Sequence, residues 1–131
     1  MAEQNKKILI VDDDTFLLNM YSLKFSKNNF DVTTCQNGAD ALKKLEEGFL
    51  PEIILLDVIM PGIDGLELLA EIRKKKLVPN ATIVMLTNQS DSSDIEKAKS
   101  MNVNGYIVKA TTIPSEVITE VSRIHQEVHK A

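Results

Sequence analysis

Short apolar runs alternate with longer amphipathic segments along the chain. The runs predict five strands, at residues 8–11, 32–34, 53–56, 82–86 and 106–108. Three of these runs are apolar throughout instead of alternating, which is typical of strands covered on both faces of a parallel sheet. The pattern therefore favours a buried sheet with helices on either side.

The segments between the runs have a helical period and carry signals for helix starts. N-cap residues are expected at Asp14, Asn37 and Asp64, and Ser93 with Glu96 forms a capping box for the fourth helix. The first helix has an imperfect apolar stripe, expected to bury Phe16, Leu17, Met20, Leu23 and Phe25. The last helix begins near Pro114 and has a regular stripe, made by Val117, Ile118, Val121, Ile124 and Val128.

Five strands alternating with five helices predict an α/β fold. Right-handed crossovers place helices on both faces, so we expect a doubly wound five-stranded parallel sheet in the order 2-1-3-4-5, a flavodoxin-like three-layer sandwich. The length of 131 residues suits a single domain over residues 1–131. Ligands of such sheets bind beyond the carboxyl ends of the strands, where the chain reverses direction.

Composition and charge indicate which binding partners and which cellular location to expect. The net charge of −4 gives no reason to expect direct binding to nucleic acid or to an anionic membrane. No apolar run approaches the ~18 residues that span a bilayer. A single cysteine, Cys35, and the lack of an apolar leader after Met1 favour a cytoplasmic protein.

Carboxylates follow two neighbouring strands at the carboxyl edge of the predicted sheet. Asp12 and Asp13 follow the first strand and Asp57 ends the third. Two carboxylates about 4 Å apart repel by ~4 kcal/mol at an effective dielectric constant of about 20, so the group needs a divalent cation. The donors are all oxygen, which favours Mg²⁺ bound directly by Asp13 and Asp57 and through water by Asp12.

The same edge holds the groups that phosphoryl transfer requires. Asp57 is central and can act as a nucleophile that forms an acyl phosphate. Lys109 and the hydroxyl of Thr87, which end the fifth and fourth strands, would neutralise the transferred oxygens. These residue types all occur at the carboxyl ends of core strands. We therefore favour a shared phosphoryl-transfer site over the alternative that the aspartates are only isolated helix caps.

Two other groups of charged residues have simpler interpretations. The basic run at residues 73–76 marks the solvated end of the third helix, where cations suit the helix dipole. Nucleic-acid binding by that run is the less favoured alternative. His125 and His129 have the i, i+4 spacing of a metal-binding pair, but no third ligand is near, so we interpret them as a solvated pair.

These residues resemble the receiver domain of two-component response regulators, and most closely its stand-alone chemotaxis type. The similarity runs from Lys7 to about Val128. Its motifs are Ile-Leu-Ile-Val-Asp-Asp-Asp at residues 8–14, Ile-Leu-Leu-Asp-Val-Ile-Met-Pro-Gly-Ile-Asp-Gly at 54–65, Met-Leu-Thr at 85–87 and Gly-Tyr-Ile-Val-Lys at 105–109.

The resemblance implies a phosphorylation switch. Asp57 would accept a phosphoryl group from a sensor histidine kinase or a phosphotransfer protein, and the domain would catalyse only its own phosphorylation and dephosphorylation. Thr87 would close on the phosphoryl group, Lys109 would pair with it, and the rotamer of Tyr106 would follow Thr87. The face of helix 4, strand 5 and helix 5 would then act on an unknown protein target or form a phosphorylation-dependent homodimer.

The resemblance also implies a metal site and shows two departures. Mg²⁺ would be bound by Asp12, Asp13, Asp57 and the backbone carbonyl of Ile59. Ala110 stands where the family usually has a proline after the lysine, so the loop into the last helix is expected to differ. Asn88 stands where the family usually has Ala or Gly, and its larger polar side chain would either restrict access to Asp57 or form a hydrogen bond near the phosphate.

Two alternatives come from other classes of protein. Haloacid-dehalogenase-like phosphatases place a nucleophilic Asp after their first strand, and residues 12–16 imitate their Asp-x-Asp-x-Thr/Val motif with Thr15 one place early. A later acidic metal pair is missing, because the fourth strand ends in Thr87. The second alternative is a docking module that is never phosphorylated, and the presence of all the chemical residues argues against it.

Overall fold

Five parallel strands form one sheet in the computed structural model, which describes residues 6–87, 92–109 and 112–128. The strands are β1 (Lys6–Val11), β2 (Phe30–Cys35), β3 (Ile53–Asp57), β4 (Thr82–Thr87) and β5 (Gly105–Val108). Their order is β2-β1-β3-β4-β5 and every pairing is parallel. The predicted doubly wound sheet is therefore confirmed.

The helices are α1 (Thr15–Lys27), α2 (Gly38–Glu46), α3 (Gly65–Lys74), α4 (Ser92–Ser100) and α5 (Pro114–Val128). The three predicted N-caps are confirmed, because the side chains of Asp14, Asn37 and Asp64 each accept a hydrogen bond from a backbone N–H three residues on. Asp64 also forms a full capping box with Glu67. The capping box predicted for Ser93 and Glu96 is not tested, because the structure describes the backbone of Ser93 but not its side chain.

Two hydrophobic clusters sandwich the sheet. The cluster on one face includes buried side chains of α2, α3 and α4, and the cluster on the other face includes those of α1 and α5. Every residue of β3 and β4 is buried, as expected for apolar strands at the centre of such a sheet. None of the described helices combines the length and apolar character that crossing a bilayer requires.

The predicted stripe of α1 is wrong in two positions. Phe16 is 68% exposed and Leu23 is 56% exposed, whereas Leu18, Tyr21 and Phe25 are buried. The buried residues follow the i, i+3, i+7 spacing of one helical face, which packs on the sheet. Apolar residues occur on more than one face of this helix, so hydrophobicity alone does not identify the inward one.

The interpretation of His125 as a solvated residue is also wrong. Its side chain is only 7% exposed, and its Nδ1 lies 2.7 Å from the Oγ1 of Thr82 at the start of β4. His125 belongs to the buried part of α5, whereas Val128, which was expected on the apolar stripe, is exposed. His129 lies outside the described residues, so the predicted pair is not tested as a pair.

The basic run at residues 73–76 lies at the end of α3, as predicted. The Arg73 guanidinium donates a hydrogen bond to the Asn102 carbonyl oxygen at 3.1 Å. Lys75 forms an ion pair with Glu46 of α2. These contacts give the run a structural role at the surface.

Gly65 brings α3 into direct contact with the end of β3. A Cβ atom at this position would lie 2.1 Å from the Asp57 carbonyl oxygen and 2.9 Å from the Val58 Cα. The Gly65 N–H donates to the Val58 carbonyl oxygen at 2.8 Å. Because these are backbone atoms that cannot rotate away, glycine is required where α3 begins.

We expect Gly65→Ala to lower the free energy of unfolding by about 2–3 kcal/mol, because the backbone must shift to admit the methyl group. Gly105→Ala is the control. Its Cβ would meet Ile124 Cδ1 at 2.5 Å, and this flexible side-chain end can move at smaller cost. Chemical denaturation measures both losses, and equal losses in the two variants would contradict the argument.

Candidate functional site

Three carboxylates meet at the carboxyl edge of the sheet. Strands β1 and β3 are neighbours, so Asp12, which follows β1, comes to lie beside Asp57 at the end of β3. Oxygen atoms of Asp12, Asp13 and Asp57 all lie within 4.8 Å of one another. Asp12 is fully buried, Asp57 is 2% exposed and Asp13 is exposed to solvent. The predicted acidic group is thus brought together.

The backbone around Asp12 fixes the position of its carboxylate. The Asp12 N–H donates to the Cys35 carbonyl oxygen of β2 at 3.2 Å. Its Oδ1 accepts a hydrogen bond from the Asp14 N–H at 2.9 Å. Asp14 in turn caps α1 by accepting from the Leu17 N–H at 3.1 Å. The turn between β1 and α1 therefore holds both the helix start and the buried carboxylate.

Lys109 supplies a cation to this cluster. Its Nζ lies 2.7 Å from Asp12 Oδ2 and 3.3 Å from Asp57 Oδ2, and its side chain is almost fully buried. The close pairing with Asp12 was missed from the sequence, where Lys109 was assigned to the phosphoryl group. The predicted strand order could have indicated this pairing. It places the end of β1 next to β3, where a long side chain that follows β5 can reach it.

One oxygen of Asp57 is left unsatisfied. Asp57 Oδ1 is buried and has no hydrogen-bond partner within the described ranges. A buried carboxylate oxygen without a partner is costly, and two further carboxylates have oxygen atoms within 4.8 Å of the Asp57 carboxylate. The residues present therefore fit a hard divalent cation with oxygen ligands, such as Mg²⁺.

Burial and charge shift the pKa values at this site. Burial raises the pKa of Asp57 from 3.8 to about 7; the Lys109 ammonium opposes this shift, and the charges of Asp12 and Asp13 add to it. Burial alone would lower the pKa of Lys109, but its contacts with Asp12 and Asp57 outweigh burial and raise it. Without a cation, the Asp57 carboxyl therefore keeps a proton to higher pH than an exposed aspartate does.

The other predicted site residues lie around this centre. Thr87 ends β4 and is buried, and β3 and β4 are joined there by a hydrogen bond from the Val58 N–H to the Leu86 carbonyl oxygen at 2.9 Å. The Ile59 side chain, two residues beyond Asp57, is exposed.

Tyr106 lies on β5, three residues before Lys109. Its ring is 37% exposed, and the Lys99 Nζ of α4 lies 5.4 Å from the ring centroid. Asn88 and Ala110, the two departures from the family pattern, lie outside the described residues. Lys109 nevertheless reaches both buried carboxylates.

The chain matches the model of the response regulator receiver domain over residues 8–121. It belongs to the response regulator receiver family. This receiver domain is 34% identical over 120 residues to the alkaline phosphatase synthesis transcriptional regulatory protein PhoP of Bacillus subtilis, covering 92% of this chain and 48% of PhoP. It is 31% identical over 121 residues to the DNA-binding response regulator MtrA of Mycobacterium tuberculosis, covering 92% of this chain and 51% of MtrA.

Solved structures agree with this receiver assignment. A CheY-like response regulator receiver domain from Methanospirillum hungatei superimposes with a TM-score of 0.85 at 25% identity, covering 96% of this chain and 98% of that one. The chemotaxis response regulator CheY4 of Vibrio cholerae gives a TM-score of 0.83 at 26% identity, covering 92% of this chain and 98% of CheY4.

The receiver chain spans about half the length of the curated relatives it matches. MtrA is named as a DNA-binding protein, and that property is stated for MtrA as a whole. The expectation that the present receiver does not itself contact nucleic acid therefore stays a prediction.

The raised pKa of Asp57 predicts a pH-dependent effect of Asp57→Asn on the Mg²⁺-free protein. A folded-state pKa above the unfolded value means that ionisation of Asp57 costs stability as the pH rises from 3.8 to about 7. The variant should therefore gain melting temperature over the wild type across this range, by at least about 4 °C at pH 8, or about 1 kcal/mol.

Scanning calorimetry in the presence of a chelator, at several pH values, measures the difference. Asp31→Asn, which changes an exposed carboxylate on β2, is the control and should show a flat difference. A difference between Asp57→Asn and wild type that is the same at pH 4 and pH 8 would contradict the buried-carboxylate argument.

Proposed function

We propose that Asp57 accepts a phosphoryl group from a phosphohistidine of a sensor kinase or phosphotransfer protein. The observation that carries this proposal is the Asp57 carboxylate, which is almost fully buried at the carboxyl edge of the sheet. One of its oxygens has no partner within the described residues, and the other lies 3.3 Å from the Lys109 Nζ. Membership of the receiver family supports the same role.

The chemistry of the transfer follows from the groups around Asp57. A carboxylate oxygen of Asp57 attacks phosphorus, so a P–O bond forms while the P–N bond to the donor imidazole breaks and its electron pair returns to the ring. Phosphoryl transfer needs mainly positioning and charge neutralisation. Lys109 would move from the free carboxylates to the new phosphoryl oxygens, and the Thr87 hydroxyl would donate to another of them.

Mg²⁺ would be held by Asp12, Asp13, Asp57 and the backbone carbonyl of Ile59. When bound, the ion would offset the negative charge of the carboxylates and of the phosphoryl oxygens. The part of the site that belongs to the chain is the fixed turn after β1, which keeps Asp12 buried and leaves Asp13 open to solvent.

The output of the switch would be a changed surface formed by α4, β5 and α5. That surface would bind an unknown protein target or a second copy of the chain after phosphorylation. We further propose that residues 1–131 form a single receiver domain that works in the cytoplasm, where the kinase presents its phosphohistidine. The domain would act as a regulator whose catalysis is limited to its own phosphorylation and dephosphorylation.

The two alternative functions have less support. A haloacid-dehalogenase-like phosphatase would use Asp12 as its nucleophile, but the family match is to receiver domains. In addition, Asp12 Oδ1 is engaged by the Asp14 N–H and Oδ2 by Lys109. A docking module without phosphorylation would have no need of a buried carboxylate with an unsatisfied oxygen.

Incubation with Mg²⁺ and a small acyl phosphate tests the proposal. We expect the protein to take up about one phosphoryl group per chain, detected by mass spectrometry, and Asp57→Asn to take up none. Amide spectra should shift near Thr87, Tyr106 and Lys109 in the wild type only.

Repeated turnover that is lost in Asp12→Asn but retained in Asp57→Asn would instead indicate a phosphatase. The absence of any response in the wild type would favour the docking module. Either result would contradict phosphorylation of Asp57.

The Ile59 side chain is expected to prolong the lifetime of the phosphate. It is exposed two residues beyond Asp57, where it can crowd the approach of the attacking water. Ile59→Ala should therefore shorten the lifetime several-fold, as followed by the decay of the phosphorylated species. Leu50→Ala, which truncates another exposed apolar side chain before β3, is the control. An unchanged lifetime in Ile59→Ala would rule out this role.

A further inference from the structure

A cation–π contact joins α4 to the edge strand of the sheet. The Lys99 Nζ lies 5.4 Å from the centroid of the Tyr106 ring. Lys99 is on α4 and Tyr106 is on β5, so the contact connects two elements of the proposed output surface. The ring is 37% exposed, so the contact lies at the surface.

The rest of α4 is thinly attached. Most side chains in the described part of α4 are exposed. Ala98 is its one fully buried side chain in the described part of the helix, and Ile95 is half-buried. A helix with so few buried contacts opens or shifts at low cost, so a single surface contact can contribute much of its attachment.

α4 is also directly connected to the phosphoryl site. Thr87 ends β4 next to Asp57, and Ser92, the first residue of α4, follows only five positions later in the chain. The Val58 N–H holds the ends of β3 and β4 together through the Leu86 carbonyl oxygen. A displacement of Thr87 toward a phosphoryl group on Asp57 would therefore occur five residues before the start of α4.

We propose that the contact between Lys99 and Tyr106 is a latch that holds α4 on β5 in the unphosphorylated protein. This inference rests on the proposed function and names a device that regulates it. A latch that favours the resting arrangement of α4 lowers the fraction of molecules in the active arrangement. A higher concentration of the phosphoryl mimic is then needed to shift α4 and β5. An exposed cation–π contact changes such a population by about two- to five-fold.

The test uses Lys99→Gln, which removes the cation. Gln is preferred to Met because the sulfur atom of Met could itself contact the ring. Beryllium fluoride with Mg²⁺ serves as the phosphoryl mimic, and the α4 and β5 amides are followed during the titration. We expect the midpoint to fall by about two- to five-fold in Lys99→Gln and to stay near the wild-type value in Lys99→Arg. In a Tyr106→Leu background, Lys99→Gln should have no further effect.

Lys97→Gln is the matched control, because it removes the same charge from an exposed position on the same helix. A second measurement needs no phosphoryl mimic: amide hydrogen exchange in α4 of the Mg²⁺-free protein should rise about two- to five-fold in Lys99→Gln alone. Exchange in α5 should not change.

The outcomes separate the two claims. Equal midpoints and equal exchange for Lys99→Gln and Lys97→Gln, with a wild type that responds to beryllium fluoride, would overturn the latch alone. A wild type that shows no response to beryllium fluoride would overturn the proposed function, and the regulatory role of the latch with it.

Discussion

The repulsion between buried carboxylates is the constraint on which this structure depends. The parallel register of β1 and β3 forces Asp12 and Asp57 together, and both are withdrawn from water. Lys109 offsets part of this charge by pairing with both carboxylates. One oxygen of Asp57 still has no partner within the described ranges, and the pKa of its carboxyl rises to about 7. The resting site is therefore under electrostatic strain that a divalent cation would relieve.

The surrounding fold fixes the backbone next to the carboxylates and buries fewer side chains in α4. Gly65 lets α3 begin directly against the backbone of Asp57, and the turn after β1 uses Asp14 to fix both a helix start and the buried acid. Farther along the sheet, α4 has few buried side chains among those described and contacts β5 through Lys99 and Tyr106. A change in charge at Asp57 can thus be expressed as movement of the element that resists it least.

Much of this arrangement was predictable from the sequence, because strand order and register determine which residues share an edge. Apolar runs identified the central strands, and their order brought Asp57 beside its acidic neighbours without further information. The wrong predictions concern side chains that meet partners far away in the sequence, and apolar residues that face solvent. Phe16 and Leu23 are apolar yet exposed, and His125 is buried because it meets Thr82, 43 residues earlier in the chain. Spacing along one helix contains no information about such a partner.

Calorimetric titration of the protein with Mg²⁺ at pH 6 and pH 8 tests the central claim most directly. If the cluster of Asp12, Asp13 and Asp57 is completed by a divalent cation, one ion should bind per chain. Its affinity should be about tenfold higher at pH 8, because a carboxyl with a pKa of about 7 must lose its proton before it can bind the metal. Asp57→Asn should abolish this pH dependence. Absence of binding, or an affinity that is the same at both pH values in the wild type, would contradict the account.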